Sequence, residues 1–244
     1  VVEYAADHAL SRADRVRLFL QACAGTEHAH RRGVIHRDLK PSNLLVAEHE
    51  GQPVVKVIDF GIARPLDRDL DPRFTLAGHM LGTPQYMSPE QARDQRDQVD
   101  VRSDVFSLGV VLHELLTGSI PYEKGLDTAL SLLGAVSRGE VRRSKSDADG
   151  RSLPPDLAAV LDRALDVDAE SRYGSCNDLS RDLENWLAGR PVVARQAGSL
   201  YAFRKLVGRH PVMSGLVVAL VLLIVGSSGV STTLYQRGGR EADD

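Results

Sequence analysis

Apolar positions recur along this chain at two spacings, and the change from one to the other marks its elements. From Ser11 to Arg32 the apolar residues Val16, Phe19, Leu20 and Cys23 fall at helical spacing. That period predicts one helix, with Ser11 as its N-cap, Asp14 in a box-like position and Gly33 as its stop. His28 and His30 lie on it and read as surface or packing residues rather than ligands. Leu44 to Val46 and Val54 to Ile58 are short apolar runs flanking Glu50-Gly51, the pattern of a β-hairpin. Val1 to Tyr4 reads as a short strand or as a frayed terminus, and Val34-Ile35 as a two-residue strand. Asp104 opens a stretch that is apolar nearly all round, runs to Thr117 and is stopped by Gly118, which predicts a buried helix. Helices are also expected over Leu126 to Gly139, from Pro154-Pro155 to Leu165, and over Ser175 to Leu187, where Leu179, Leu183, Trp186 and Leu187 share a face. Ile62 to Met80, with Pro65, Pro72 and alternating charges, and Val141 to Ser152 carry no period and read as loops.

The pattern then changes. Gly189 to His210 holds Arg190, Arg195, Arg204, Lys205 and Arg209 and no acid, and Pro211 to Gln236 carries no charge at all. The uncharged stretch exceeds the ~20 residues that span a bilayer. A transmembrane helix is expected over 211–235, after a basic juxtamembrane linker over 189–210 and before a short tail over 236–244. The basic flank predicts a cytoplasmic N-terminal side, so the expectation is a single-pass membrane protein. A position at the C-terminal end excludes a signal peptide.

Composition changes this picture little. The chain has 244 residues, room for one sizeable domain and an appendage. A net charge of -3 leaves no electrostatic footprint for nucleic acid. Cys23 and Cys176 lie far apart in sequence with no metal-type spacing, so no disulfide framework is expected and a reducing compartment fits. The first residue is Val1 rather than Met, as expected of a sequence cut from something longer or begun at an unusual codon.

Candidate chemistry is concentrated in three stretches. In His36-Arg37-Asp38-Leu39-Lys40-Pro41-Ser42-Asn43, an Asp can orient and deprotonate a hydroxyl, a Lys can neutralise a transferred phosphoryl group and an Asn can hold a metal ion. Lys56-Val57-Ile58-Asp59-Phe60-Gly61 supplies a second acid after an apolar run, and Gly82-Thr83-Pro84-Gln85-Tyr86-Met87-Ser88-Pro89-Glu90 follows. Their order and spacing resemble the catalytic loop, the metal-binding loop and the substrate-side loop of the eukaryotic-like protein kinases. The resemblance covers residues 1–188. With the basic linker and the apolar stretch, the whole resembles a bacterial membrane-anchored, receptor-like serine/threonine kinase.

The resemblance implies an α+β, mostly α fold, the large lobe of a kinase with the hinge at Val1 to Tyr4. It implies ATP and Mg2+ as cofactors and proteins bearing Ser or Thr as substrates. Asp38 would accept the hydroxyl proton, and Lys40 would stabilise the γ-phosphate. Asn43 and Asp59 would hold magnesium, brought to one space by the hairpin. Thr83 would contact Asp38 and Lys40, as in the serine/threonine-specific branch. His36, Phe60 and Gly61 complete the two motifs. Thr75 would be the regulatory phosphorylation site in the loop over 62–80. Arg37 would either pair with that phosphate or merely brace the loop. Glu90 would pair with Arg172, and Asp104 would hold the catalytic-loop backbone. The lipid bilayer is an expected partner through one helix, as is a second copy of the chain in a homodimer.

The resemblance stops at the N-terminus. Only 37 residues precede Asp38, none forms Gly-x-Gly-x-x-Gly, and the first lysine is Lys40. The small lobe, with its phosphate-covering loop and nucleotide-anchoring Lys, is therefore expected to be missing. Because phosphoryl transfer is accelerated mostly by positioning and charge, slow or absent transfer is expected of the chain alone. The alternative from another class is a catalytically inactive, membrane-tethered kinase-like scaffold.

Overall fold

The computed structural model describes residues 1–60, 84–122, 128–142, 144 and 146–195. Its centre is two helices. Helix α2 spans Arg12–His30, and the Ser11 hydroxyl accepts the Asp14 N–H at 3.2 Å to cap it. Val16, Phe19 and Cys23 on its inner face are fully buried, as their spacing predicts, Ala22 joins them, and Leu20 is only partly buried. Helix α4 spans Val101–Thr117 and is buried on nearly every side, ending at Gly118 in the left-handed conformation that caps helices well. Helices α6 (Pro155–Ala164) and α7 (Cys176–Leu187) close around this pair, with α7 on α2 and α6 on α4. Helix α5 (Ala129–Arg138) and the single turn α3 (Pro89–Ala92) pack on each other.

An antiparallel hairpin, β1 (Leu44–His49) and β2 (Gln52–Val57), lies on α2, with Leu44 opposite Val57 and His49 opposite Gln52. Glu50 and Gly51 both take positive φ, 50° and 75°, which the right-handed twist of a two-residue hairpin turn requires. Gln21 on α2 fastens β2 by donating to the Pro53 carbonyl at 3.0 Å and accepting the Val55 N–H at 2.9 Å. The body is mostly helical with one two-stranded sheet.

Four expectations need correction. Val1 to Tyr4 is not a strand, because Val2–Asp7 forms a helical turn, α1. The ring of His8 stacks on Tyr4 at 3.9 Å, a contact that the four-residue helical offset allows and an extended chain does not. Val34-Ile35 is not a strand either. The Val34 N–H returns to the Ala29 carbonyl at 3.1 Å, closing the end of the preceding helix, and the N–H groups of His36 and Arg37 go to a side chain rather than to a strand. Helix α4 starts at Val101 rather than Asp104, capped by Asp100, whose carboxylate accepts the Arg102 N–H at 2.7 Å. Helix α5 starts after its cap Thr128, in a reciprocal box with Ser131.

Among the described residues no helix is long and apolar enough to cross a membrane, and the stretch 211–235 lies outside them. Chain beyond Ala188 still belongs to the helical body at Val192, which is 2 % exposed. The Val193 and Ala194 N–H groups donate to the Asp182 carboxylate at 2.6 and 2.8 Å.

One buried ion pair ties the loop ahead of α7 to α3. Arg172 donates to both oxygens of Glu90, at 2.8 and 2.9 Å, with side chains 0 % and 6 % exposed. Ser103 adds a hydrogen bond to Glu90 at 2.6 Å, and Arg172 also donates to the carbonyls of Asp166, Val167 and Arg102. Burial alone would push the Glu90 carboxyl up. The hydrogen bonds and charge of Arg172, with Ser103, outweigh burial and hold it below its ordinary value.

Two predictions follow from this packing. Glu90→Gln leaves the Arg172 charge buried and unpaired, and it should lower stability by about 3–5 kcal/mol in a denaturant melt. Because the folded carboxyl titrates below the unfolded one, the pair's contribution is present above the ordinary glutamate range, about 4.3, and fades as pH falls through the folded value. Wild type should therefore lose stability on acidification over this window more steeply than Glu90→Gln does, and parallel pH profiles would sink the assignment. Separately, Gly139 caps α5 at φ 71°, and a Cβ there would meet Val167 Cγ2 at 2.0 Å. Gly139→Ala should cost at least about 1–2 kcal/mol, from the left-handed backbone alone.

Candidate active site

The site is assembled on one buried carboxylate. Asp104 lies inside α4 with no exposed surface. One of its oxygens accepts the His36 backbone N–H at 2.7 Å and the His30 ring Nε2 at 2.7 Å, and the other accepts the Arg37 N–H at 2.8 Å. In this dry position the carboxylate depends on those three partners. Two successive N–H groups turned to one side chain demand an unusual backbone, and Arg37 accordingly has φ 66°, rare for a residue with a Cβ. The Arg37 carbonyl is held as well, accepting from Gln91 Nε2 at 2.8 Å.

His36 joins the two motifs. Its buried ring donates from Nε2 to the Ile58 carbonyl at 2.8 Å, so Nδ1 is the nitrogen that accepts the Asp38 N–H, at 3.3 Å. The same ring tilts against Phe60, with centroids 4.8 Å apart. One imidazole therefore sets the start of the loop bearing Asp38 against the residues flanking Asp59.

Leu39, 1 % exposed, anchors the loop in the core between two polar neighbours that stay partly exposed. Lys40 Nζ and Asp38 Oδ2 are 2.9 Å apart. Asn43 is buried, and its Nδ2 donates to the Asp38 carbonyl at 2.8 Å, which leaves Oδ1 as the atom available for a further partner. The Asn43 carbonyl accepts the Ile58 N–H at 3.0 Å, bringing the end of β2 to Asn43. The next residue, Asp59, takes φ 57° and presents an exposed carboxylate. The available donors, an amide oxygen and a carboxylate, are hard oxygens of the kind a small divalent cation takes.

The segment before α4 is braced separately. A tight turn over Pro84–Tyr86 leads to Ser88, which caps α3 in a reciprocal box with Gln91. Ser107 donates to the Tyr86 carbonyl at 2.7 Å, and the Tyr86 hydroxyl donates to Glu114 at 2.7 Å. Gln91 holds the catalytic loop and His30 holds the Asp104 carboxylate, yet neither is a candidate from sequence. The Ser88-to-Gln91 spacing does signal a cap, but nothing local signals the second bond to Arg37. Gly61, Thr75 and Thr83 lie outside the described residues.

Comparisons with known proteins agree with this arrangement. The family model described as the protein kinase domain matches residues 2–183. A probable serine/threonine-protein kinase PknB of Bifidobacterium longum is 37% identical over 186 residues, 76% of this chain and 26% of that protein. The serine/threonine-protein kinase PknB of Mycolicibacterium smegmatis is 39% identical over 168 residues, 69% of this chain and 25% of that protein. The serine/threonine-protein kinase PknD of Protochlamydia amoebophila is 33% identical over 189 residues, 72% of this chain and 18% of that protein. The chain thus spans about a quarter or less of the length of these relatives. With most of its length matched and the motif residues gathered on the Asp104 clamp, the chain belongs to the protein kinase domain family.

Proposed function

We propose that this chain carries the acceptor and metal side of a serine/threonine protein kinase, transferring the γ-phosphate of ATP to protein hydroxyls. The observation that carries this reading is the Asp38–Lys40 pair, partly exposed at 2.9 Å beside Asn43 Oδ1, on a loop whose backbone is locked by Asp104. The family implies ATP and a divalent metal, and magnesium suits the hard oxygens of Asn43 and Asp59. When bound, the metal and nucleotide supply a phosphoryl group with its charge partly neutralised. Asp38 orients the substrate hydroxyl and takes its proton as the oxygen–phosphorus bond forms and the bond to the leaving diphosphate breaks. Lys40 places a positive charge where negative charge on the transferred group must be met. The clamp on His36 and Arg37 keeps these groups in place without reorganisation during the reaction.

Two further roles belong to the same reading. Arg37 Nε is buried without a hydrogen-bond partner among the described residues, which supports a docking role toward a phosphate on Thr75. The uncharged stretch 211–235 and the five basic residues before it support a single membrane span with the kinase body on the cytoplasmic side of a bacterial inner membrane.

The experiment is phosphate transfer to a generic protein substrate by the longest natural form of the protein, with ATP binding measured alongside. Asp38→Asn should lower kcat by roughly 10²–10⁴-fold while ATP still binds. Asp59→Asn should weaken divalent-metal-dependent ATP binding itself. Unchanged turnover in Asp38→Asn would remove the role given to that residue. A wild-type protein that binds ATP but transfers nothing would support the scaffold reading instead.

A further inference from the structure

A second cluster of reactive side chains lies behind the catalytic loop, on the far side of Asp104. Glu27 and His30 are three residues apart on one face of α2, and Cys176 is the first residue of α7, which packs against that face. A carboxylate oxygen of Glu27, a ring nitrogen of His30 and the Cys176 sulfur all lie within 4.8 Å of one another. We propose that these three residues form a binding site for a divalent ion of the zinc class, with a water as fourth ligand.

The donor set selects the ion. A thiolate and an imidazole favour zinc and similar borderline-soft metals, and they disfavour the magnesium that the oxygens of Asn43 and Asp59 suit. Three protein ligands with one open position is a common zinc arrangement. Its geometry is nearly present. Tetrahedral ligation at ordinary zinc–sulfur and zinc–nitrogen lengths separates the two atoms by about 3.6 Å, and His30 Nδ1 is 3.8 Å from Cys176 Sγ. Glu27 has the torsional freedom to close the remaining gap. Among the described residues it is held by the Asn177 N–H and Arg31, each at 3.2 Å.

The supporting shell is already in place. His30 Nε2 lies on Asp104 and Nδ1 faces Cys176, so a neutral ring with its proton on Nε2 directs the Nδ1 lone pair toward the sulfur. A carboxylate on the far nitrogen of a ligating histidine fixes the ring and raises its basicity, as in many metal sites. Burial and access are divided usefully. Cys176 is fully buried, while the Glu27 side chain is 17% exposed and opens a route for the ion and its water. Binding removes one proton from the Cys176 thiol to solvent, and thiolate plus carboxylate then balance the charge of the ion. Because Asp104 also holds His36 and Arg37, an ion here shares its supporting carboxylate with the catalytic loop.

The test is optical and does not depend on kinase activity. The whole chain, reduced and stripped of metal, is titrated with Co2+ in excess Mg2+, which fills oxygen-only sites. The expected result is a thiolate-to-cobalt charge-transfer band in the near ultraviolet that saturates at one equivalent and is abolished by Zn2+. Cys176→Ser should remove the band, and Cys23→Ser, which deletes the other buried thiol, should keep it. Glu27→Gln, at a partly exposed position that folding tolerates, should weaken Co2+ binding by about 10-fold or more. No band in the wild type, a band surviving Cys176→Ser, or unchanged affinity in Glu27→Gln would overturn the site and leave the thiol–imidazole contact as packing only.

Discussion

A buried charge cannot be left with one partner, and Asp104 shows how a fold uses that constraint. Removed from water, its carboxylate needs several donors. It finds them in two consecutive backbone N–H groups of the catalytic loop and one imidazole of α2. The same bonds that satisfy the acid leave the loop little conformational freedom. A segment that is neither helix nor strand is thereby held rigidly, with Asp38 and Lys40 at its surface. The left-handed backbone of Arg37 is the local strain that this arrangement sustains.

Polar residues inside the body work in the same way. His36 spans the two motif loops, Gln91 caps one helix and holds the Arg37 carbonyl, and Arg172 joins α3 to the loop before α7. Each is a polar group that had to be paired once buried, and each pairing connects segments distant in sequence. The apolar core supplies the driving force for the helical body, but it specifies contacts loosely. Directional bonds to buried polar atoms set which loop lies where, and therefore where the chemistry sits.

Much was legible in the chain itself. The helical period along α2, its Ser11 cap, the hairpin about Glu50-Gly51 and the glycine stop of α4 follow from local rules, and the structure shows each of them. The motif residues stood out as candidates by a different rule, because phosphoryl transfer calls for an acid, a cation and oxygen ligands at spacings that one loop and one hairpin can bring together. The errors fell on short segments. Four residues at Val1 to Tyr4, one of them the acid Glu3, and two at Val34-Ile35 fit a strand as well as other conformations. What decided them was a helical turn with a Tyr4–His8 stack in one case and the return of the Val34 N–H to the Ala29 carbonyl in the other.

By itself, then, the sequence determined which residues are candidates for chemistry and which long stretches are helical, since both depend on side-chain identity and on spacing within a few residues. Only the tertiary structure decided what the polar interior residues do. His30 reads as packing from its own helix, and Cys23 and Cys176 read as unrelated thiols. The approach of α7 to α2 and of α4 to the catalytic loop is what puts His30 between Asp104 and Cys176. Such meetings join residues 74 and 146 positions apart in the chain, and no local rule of period, cap or turn reaches across that separation.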